Sequence, residues 1–171
     1  MIQKKICLLG GTGVGKTSLV AQFVHSIFSD KYLTTIGVKI DKKSVTVDQT
    51  QVELVIWDIY GHDDFQKLRS SYLRGASGYL FVADGTRRAT LDTVDDLRRL
   101  TEETAAGMPF VLAVNKADLR DQWQIEGAVI EERRHAGWQV IETSAKTGDL
   151  VEDAFATLAR AMLVHIPQGR P

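Results

Sequence analysis

The sequence predicts an α/β domain in which about five helices cover both faces of a six-stranded, mostly parallel sheet. Apolar runs alternate with amphipathic stretches along the whole chain, as they do where strands alternate with helices. Two consecutive runs, residues 38–47 and 51–57, are separated by only three residues, which predicts one antiparallel hairpin in the sheet. The length of 171 residues is that of one domain, so we expect a single domain over residues 1–171.

The predicted elements follow from the spacing of the apolar residues. Continuous or alternating apolar runs predict strands over residues 2–9, 38–47, 51–57, 78–83, 110–114 and 138–141. Apolar residues at spacings of three and four predict helices over residues 16–25, 89–105, 125–136 and 150–163. In sheets of this kind ligands bind beyond the carboxyl ends of the strands, and the motifs described below all fall there.

Composition and charge exclude several classes of function. The net charge of −1, with 44% hydrophobic and 25% charged residues, gives no sign of a nucleic-acid surface. No apolar run approaches the length of about 18 residues that a membrane helix needs. Cys7 is the only cysteine, which fits a buried small side chain in a reducing compartment, and we expect a cytoplasmic protein.

The end of the chain contains no cysteine for prenylation and no polybasic tail. We therefore expect no stable membrane anchor in this chain. Either the natural protein is not lipidated, or a lipidated tail is missing from the sequence.

A glycine-rich loop connects the first predicted strand to the first predicted helix. Residues 10–17 read Gly-Gly-Thr-Gly-Val-Gly-Lys-Thr and match the phosphate-loop pattern G-x-x-x-x-G-K-[ST]. Backbone N–H groups of such a loop cradle phosphate oxygens, the lysine reaches the β- and γ-phosphates, and the threonine hydroxyl ligates Mg²⁺. The residues expected to bind the phosphates here are Gly11, Gly13, Val14, Gly15, Lys16, Thr17 and Ser18.

A second motif, Asn-Lys-Ala-Asp at residues 115–118, follows a buried strand and indicates which base is bound. The Asp118 carboxylate can accept hydrogen bonds from guanine N1–H and N2–H₂, which adenine lacks, and such sites discriminate by about 10⁴–10⁵. Lys116 can lie across the base, and Asn115 is expected to brace the loop. A Ser-Ala-Lys triplet follows another strand, and its backbone N–H could meet guanine O6. The residues expected to bind the base are Asn115, Lys116, Asp118, Ser144, Ala145 and Lys146.

The order of these motifs resembles that of the Ras-like small GTPases, and of the Rab branch in particular. The resemblance spans nearly the whole chain and includes Thr-Ile-Gly at residues 35–37 and Trp-Asp-Ile-Tyr-Gly at residues 57–61. The segment Ser-Ser-Tyr-Leu-Arg-Gly-Ala at residues 70–76 is similar to the Rab proteins. The resemblance implies a P-loop NTPase G domain that binds GTP or GDP with Mg²⁺ and hydrolyses GTP as a molecular switch.

The resemblance also implies roles for further residues. Thr35 should reach Mg²⁺ only when a γ-phosphate is present, and Asp58 should hold the ion through a water. Gly61 should offer its backbone N–H to the γ-phosphate. Phe28 should cover the base opposite Lys116, although a phenylalanine in the core is the alternative. The implied metal-binding residues are Thr17, Thr35 and Asp58.

Two segments of the chain, residues 31–38 and 59–74, correspond to the switch I and switch II regions of the family. Contacts to one phosphate and its metal hold such loops, and cleavage of that phosphate releases them. The resemblance therefore implies protein effectors and regulators that recognise these segments, and a monomeric protein.

The switch II motif departs from the family pattern D-T-A-G-Q-E, because this chain has Asp-Ile-Tyr-Gly-His-Asp at residues 58–63. His62 replaces the glutamine that orients the attacking water. Imidazole is shorter and carries its donor and acceptor on separate ring nitrogens. We therefore expect slow hydrolysis, with His62 as a general base the alternative. Tyr60 replaces a small alanine and either swings outward or donates its hydroxyl to a phosphate.

The expected catalytic residues are Lys16, Thr35, Gly61 and His62. A GTP-binding scaffold that has lost useful hydrolysis is the competing function, and the switch II residues keep it open. A catalytic arginine supplied by the chain itself would have to be one of four residues, for which we expect ordinary surface charge instead: Arg69, Arg74, Arg87 and Arg88.

Overall fold

The computed structural model describes residues 1–30, 37–60 and 70–165. The strands are β1 (Ile2–Gly10), β2 (Val38–Val47), β3 (Thr50–Ile59), β4 (Gly78–Asp84), β5 (Phe110–Asn115) and β6 (Val140–Glu142). The helices are α1 (Lys16–His25), α2 (Ser70–Leu73), α3 (Ala89–Thr104), α4 (Gly127–His135) and α5 (Val151–Val164). A 3₁₀ helix, Ala117–Gln122, follows β5.

The six strands form one sheet in the order β2-β3-β1-β4-β5-β6. All neighbouring strands are parallel except β2 and β3, which form the antiparallel pair. The α/β fold class predicted from the sequence, with its mostly parallel sheet and single antiparallel hairpin, is therefore confirmed. β2 and β6 are the two edges of the sheet.

Two apolar clusters, one on each face of the sheet, form the core. On one face α1 and α5 meet, and the rings of Phe23 and Phe155 stack with centroids 3.9 Å apart. On the other face α3 buries Leu91, Val94 and Leu97, the three-residue spacing that the sequence shows. β4 is buried along its entire length because both faces are covered. No helix within the described ranges is long and apolar enough to cross a membrane.

Most element boundaries differ from the prediction by one or two residues, including those of β3, α4 and the last strand. The hairpin turn contains only Asp48 and Gln49, whose φ angles of 48° and 66° match a two-residue turn, so β3 begins earlier than expected. α4 begins two residues late because the N–H groups of Gln124 and Ile125 donate to the carbonyl of Gly85 and follow a non-helical path. The last strand is Val140–Glu142 instead of residues 138–141.

The strand register brings the motifs to one edge of the sheet. Asp58 at the end of β3 lies beside Leu8 of β1, and Asp84 at the end of β4 is paired with Asn115 at the end of β5. The loop after β1 carries the phosphate-loop motif. Side chains from four strand ends therefore meet around this loop.

Candidate nucleotide-binding site

The phosphate loop packs so closely against β4 and β5 that only glycine fits at two of its positions. A Cβ on Gly10 would lie 2.4 Å from the Val82 carbonyl oxygen. Gly15 has a φ of 101°, and a Cβ there would lie 2.3 Å from Asn115 Nδ2. Both spacings are shorter than atoms tolerate, so these glycines are required by the path of the loop.

Lys16 lies inside the loop and is only 5% exposed. Its Nζ is 3.2 Å from each of the carbonyl oxygens of Gly10 and Gly11. α1 starts at the same residue, with the Leu19 N–H donating to the Gly15 carbonyl, and no side chain caps its N-terminus. A buried ammonium therefore lies at the uncapped N-terminus of a helix, an arrangement that suits an anion.

Thr17 and Asp58 meet next to this loop. The Thr17 Oγ1 donates to Asp58 Oδ2 over 2.6 Å, and Asp58 is 1% exposed. A hydroxyl and a carboxylate are the hard oxygen ligands that Mg²⁺ prefers. Across residues 1–30, 37–60 and 70–165, no group of three or more His, Cys, Asp or Glu could hold a metal. A cation here would therefore need phosphate or water oxygens as well.

Three predicted site residues, Thr35, Gly61 and His62, lie outside the described residues, and their roles stay predictions. The ends of the two switch segments are described. The N–H of Tyr60 donates to the Gly37 carbonyl over 2.8 Å, which joins the end of switch I to the start of switch II.

Asn115 is a buried side chain that joins two loops to the end of β5. Its Nδ2 donates to the Val14 carbonyl of the phosphate loop over 3.1 Å. Its Oδ1 accepts from Thr143 Oγ1 at 3.1 Å and from the Ala145 N–H at 3.2 Å. This is the bracing role expected of Asn115. It joins the phosphate loop to the Ser-Ala-Lys triplet.

The other residues expected to bind the base have surroundings that agree with this role. Lys116 adopts a left-handed conformation with a φ of 73°, and its Nζ is 3.3 Å from the Gly13 carbonyl. Ser144 Oγ donates to Asp118 Oδ1 over 2.8 Å and so orients that carboxylate. Phe28 is 38% exposed and belongs to neither core cluster, so the alternative of a core phenylalanine is wrong.

The backbone N–H groups of the Ser-Ala-Lys triplet differ in whether the described part of the protein already provides their acceptor. The Ser144 N–H donates to the Asp149 carbonyl over 3.1 Å. The Ala145 N–H already donates to Asn115. Lys146 follows these two residues and is exposed.

Trp123 supports the base-site loop, and the sequence analysis missed it. Its Nε1 donates to the Lys116 carbonyl over 2.8 Å. The indole covers Gly85 so tightly that a Cβ there would lie 2.1 Å from it. Arg120 also stacks on the indole, with its guanidinium carbon 3.9 Å from the ring centroid. The tryptophan follows the Asn-Lys-Ala-Asp motif by five residues, but nothing in the spacing predicts where its ring lies.

Asp84 is a second site residue that sequence analysis missed. It is 1% exposed and lies 2.8 Å from Lys116 Nζ and 3.0 Å from Arg87 Nε. Both the side chain and the backbone N–H of Thr86 also donate to it. Burial alone would raise the pKa of Asp84, but the hydrogen bonds from Lys116, Thr86 and Arg87 together outweigh it and hold that pKa below its usual value. The carboxylate is therefore charged at neutral pH. The sequence signal is an aspartate at the carboxyl end of a buried strand.

Arg87 and Arg88 have different surroundings. Arg87 is a surface charge, 47% exposed, as expected, but its Nη2 also donates to the Thr12 carbonyl of the phosphate loop over 2.8 Å. Arg88 pairs with the exposed Asp92 one turn along α3, which agrees with that expectation. Thr12 is 75 residues from Arg87 in the chain, a distance over which the sequence pattern predicts no contact.

Comparison with known proteins identifies the family. The family model described as "Ras family" matches residues 5–164. The chain belongs to the Ras family.

Among curated relatives of this Ras-family protein, Ras-related protein Rab-13 of Canis lupus familiaris is 33% identical over 163 residues, 94% of this chain and 80% of the relative. Ras-related protein Rab-1 of Theileria annulata is 35% identical over 170 residues, 96% of this chain and 76% of the relative. Rab-1 of Theileria parva is 34% identical over the same length. The resemblance to the Rab branch is therefore confirmed. The Ras-family protein is a small GTPase that binds guanine nucleotide, hydrolyses GTP and acts as a nucleotide-dependent switch.

Proposed function

We propose that residues 1–171 form one G domain that holds GTP or GDP with Mg²⁺ and hydrolyses GTP slowly through a variant switch II. One observation carries the proposal. The Asn115 amide contacts both the Val14 carbonyl of the phosphate loop and the Ala145 N–H of the Ser-Ala-Lys triplet. A phosphate site and a base site are thereby held at a fixed separation, as a nucleotide requires.

The phosphate groups of the nucleotide lie in the loop between β1 and α1. In this structure, the ammonium of Lys16 contacts the carbonyls of Gly10 and Gly11. When nucleotide binds, the ammonium contacts the β- and γ-phosphates instead. The N–H groups that face the phosphates belong to Gly11, Gly13, Val14, Gly15, Lys16, Thr17 and Ser18. Charge-assisted hydrogen bonds of this kind are about twice as strong as neutral ones.

Guanine lies between the Phe28 ring and the stem of Lys116. Asp118 accepts from N1–H and N2–H₂, with Ser144 fixing its orientation. A backbone N–H of the triplet at residues 144–146 meets guanine O6, and Ser144 and Ala145 now donate theirs to Asp149 and Asn115. Adenine would leave Asp118 without its donors, so ATP is rejected.

Thr17 and Asp58 hold Mg²⁺ beside the phosphates, and Thr35 joins them when a γ-phosphate is present. The oxygen donors of Thr17 and Asp58 are already within 2.6 Å of each other and suit this ion. When bound, the ion neutralises charge on the phosphate oxygens. The protein keeps Asp58 buried and oriented towards Thr17.

Hydrolysis depends on the residues that follow Asp58. Gly61 donates its N–H to the γ-phosphate, and His62 stands where the family has the glutamine that orients water. The shorter imidazole positions that water poorly, so intrinsic hydrolysis is slow.

Residues 31–38 and 59–74 form the surface that effectors and regulators recognise. We also propose that the protein works as a monomer in the cytoplasm.

The test is single-turnover release of phosphate from γ-labelled GTP with Mg²⁺. Wild type is compared with His62→Gln and with His135→Gln, a matched control on α4, where the histidine is exposed. We expect wild type to release phosphate faster than free GTP hydrolyses, His62→Gln to be faster still, and His135→Gln to equal wild type.

Two other results would change the proposal. Intact GTP after hours in wild type, with turnover restored by His62→Gln, would favour the GTP-bound scaffold or an absolute need for a partner. Equal binding of ATP and GTP in a competition assay would contradict the assigned base site.

A further inference from the structure

A single buried carboxylate, Asp84, orients two cations towards the phosphate loop. Asp84 Oδ2 is 3.0 Å from Arg87 Nε and 2.8 Å from Lys116 Nζ. Each cation also donates to a loop carbonyl: Arg87 Nη2 to Thr12 over 2.8 Å, and Lys116 Nζ to Gly13 over 3.3 Å. Two successive peptide groups of the loop are therefore held at their carbonyl oxygens by cations.

The geometry of the peptide bond turns these contacts into an orientation of N–H groups. In a planar trans peptide the C=O and the N–H point in opposite directions. A cation that holds the Thr12 carbonyl therefore directs the N–H of Gly13 the other way, and a cation on the Gly13 carbonyl directs the N–H of Val14. Gly13 has a φ of 74°, the left-handed conformation that makes successive N–H groups converge on an anion. A cation that donates to the carbonyl oxygen also polarises the peptide group, which strengthens the N–H of the same peptide as a donor.

We infer that Arg87 is a positioning residue for nucleotide binding: anchored on Asp84, it holds the Thr12–Gly13 peptide so that the Gly13 N–H faces the phosphates. The inference rests on the nucleotide site proposed above. It assigns to Arg87 no contact with the reacting atoms.

The role needs arginine and not only positive charge. Arg87 uses Nε for Asp84 and Nη2 for the Thr12 carbonyl, so two nitrogens of one rigid guanidinium make the two contacts. Lysine has one nitrogen on a flexible stem. Without Arg87, Asp84 still accepts from Lys116 and Thr86, so loss of the arginine does not leave that carboxylate without donors.

The test compares Arg87→Ala and Arg87→Lys with Arg88→Ala, which removes a neighbouring arginine that pairs with the exposed Asp92 one turn along α3. Three quantities are measured: the GDP dissociation rate, the ratio of GDP to IDP affinity, and the amide proton chemical shift of Gly13 in the GDP complex. IDP lacks only the N2 amino group that Asp118 reads.

We expect both Arg87 variants to release GDP about tenfold faster than wild type, the cost of one hydrogen bond to a charged group. The Gly13 amide should move upfield, the GDP to IDP ratio should stay within about twofold of wild type, and Arg88→Ala should match wild type throughout. Intact near-ultraviolet circular dichroism of Arg87→Lys separates this effect from unfolding.

Three outcomes would overturn the inference. GDP release by Arg87→Ala at the rate of Arg88→Ala would mean that the contact is not used. A ratio of GDP to IDP affinity well below that of wild type would mean that Arg87 acts on the base through Lys116. Failure of wild type to bind GDP at all would overturn the nucleotide site, and the inference with it.

Discussion

Replacing Asn115 with alanine should loosen the nucleotide site and the fold together. The side chain is 2% exposed and makes three hydrogen bonds, to Val14, Thr143 and Ala145. One bond reaches the phosphate loop, and the other two reach the loop that follows β6. Alanine would leave all three partners in place but without their amide.

The loss in the free energy of unfolding caused by Asn115→Ala follows from the number of hydrogen-bond partners. A buried hydrogen bond contributes about 1 kcal/mol net, and a buried partner left unsatisfied costs about 1–3 kcal/mol. Three partners give a loss of about 3–4 kcal/mol in the free energy of unfolding, a large part of the roughly 5–15 kcal/mol that a domain has. Thr143→Val removes one of the three bonds and should cost about 1 kcal/mol.

Urea denaturation at saturating GDP, followed by tryptophan fluorescence, measures both variants. With a slope of about 2 kcal/mol per molar urea, the midpoint of Asn115→Ala should fall by about 1.5–2 M and that of Thr143→Val by about 0.5 M. A loss below about 1 kcal/mol for Asn115→Ala would refute the reasoning, because the three contacts would then carry no bracing energy.

Three further predictions concern other parts of the molecule. Cys7 is buried, and burial raises its pKa to about 12, so iodoacetamide at pH 8 should leave it unmodified in the native protein and alkylate it in urea; rapid native alkylation, detected by mass spectrometry, would contradict this. Leu150 has a φ of 53° and is 43% exposed, so Leu150→Gly should raise the melting temperature by about 2–3 °C; a decrease would show that the backbone is not strained there. Because Asp84 has a pKa below that of the unfolded chain, about 3.9, its charge stabilises the fold above that pH and the contribution is lost as the pH falls through the lowered pKa. Asp84→Asn should therefore melt well below wild type at pH 7, and the difference should shrink as the pH falls below about 3.9. A difference that does not change with pH would argue against an ionised Asp84.

Elements whose pattern depends on local spacing were predicted well. α1 and β2 have the predicted bounds, residues 16–25 and 38–47, because glycines or turn residues flank a clear apolar period. The sheet with its single hairpin also follows from the alternation of apolar runs. The motif residues 115–118 fall at a strand end for the same reason, since a buried run ends where the polar motif begins.

Features that depend on contacts between distant residues were not predicted. The start of α4 is displaced by bonds to Gly85, forty residues earlier, and the 3₁₀ helix after β5 has no apolar period of its own. Trp123 and Arg87 become site residues only when the sheet brings β4 beside the phosphate loop and β5. A sequence pattern reports which face is apolar, and it does not report which charged side chain finds which carbonyl.

The open edge at β2 affects how copies of this protein meet one another. In the described part of the chain β2 pairs with β3 alone, and its sequence carries Lys39, Lys42 and Lys43. Lys39 lies 3.7 Å from Asp41, and Lys43 pairs with Glu152. Lys42 is on the opposite face of the strand from these two lysines. Lysines on an edge strand disfavour the addition of a second copy of that strand, so we expect the sheet of this protein to resist growth at β2.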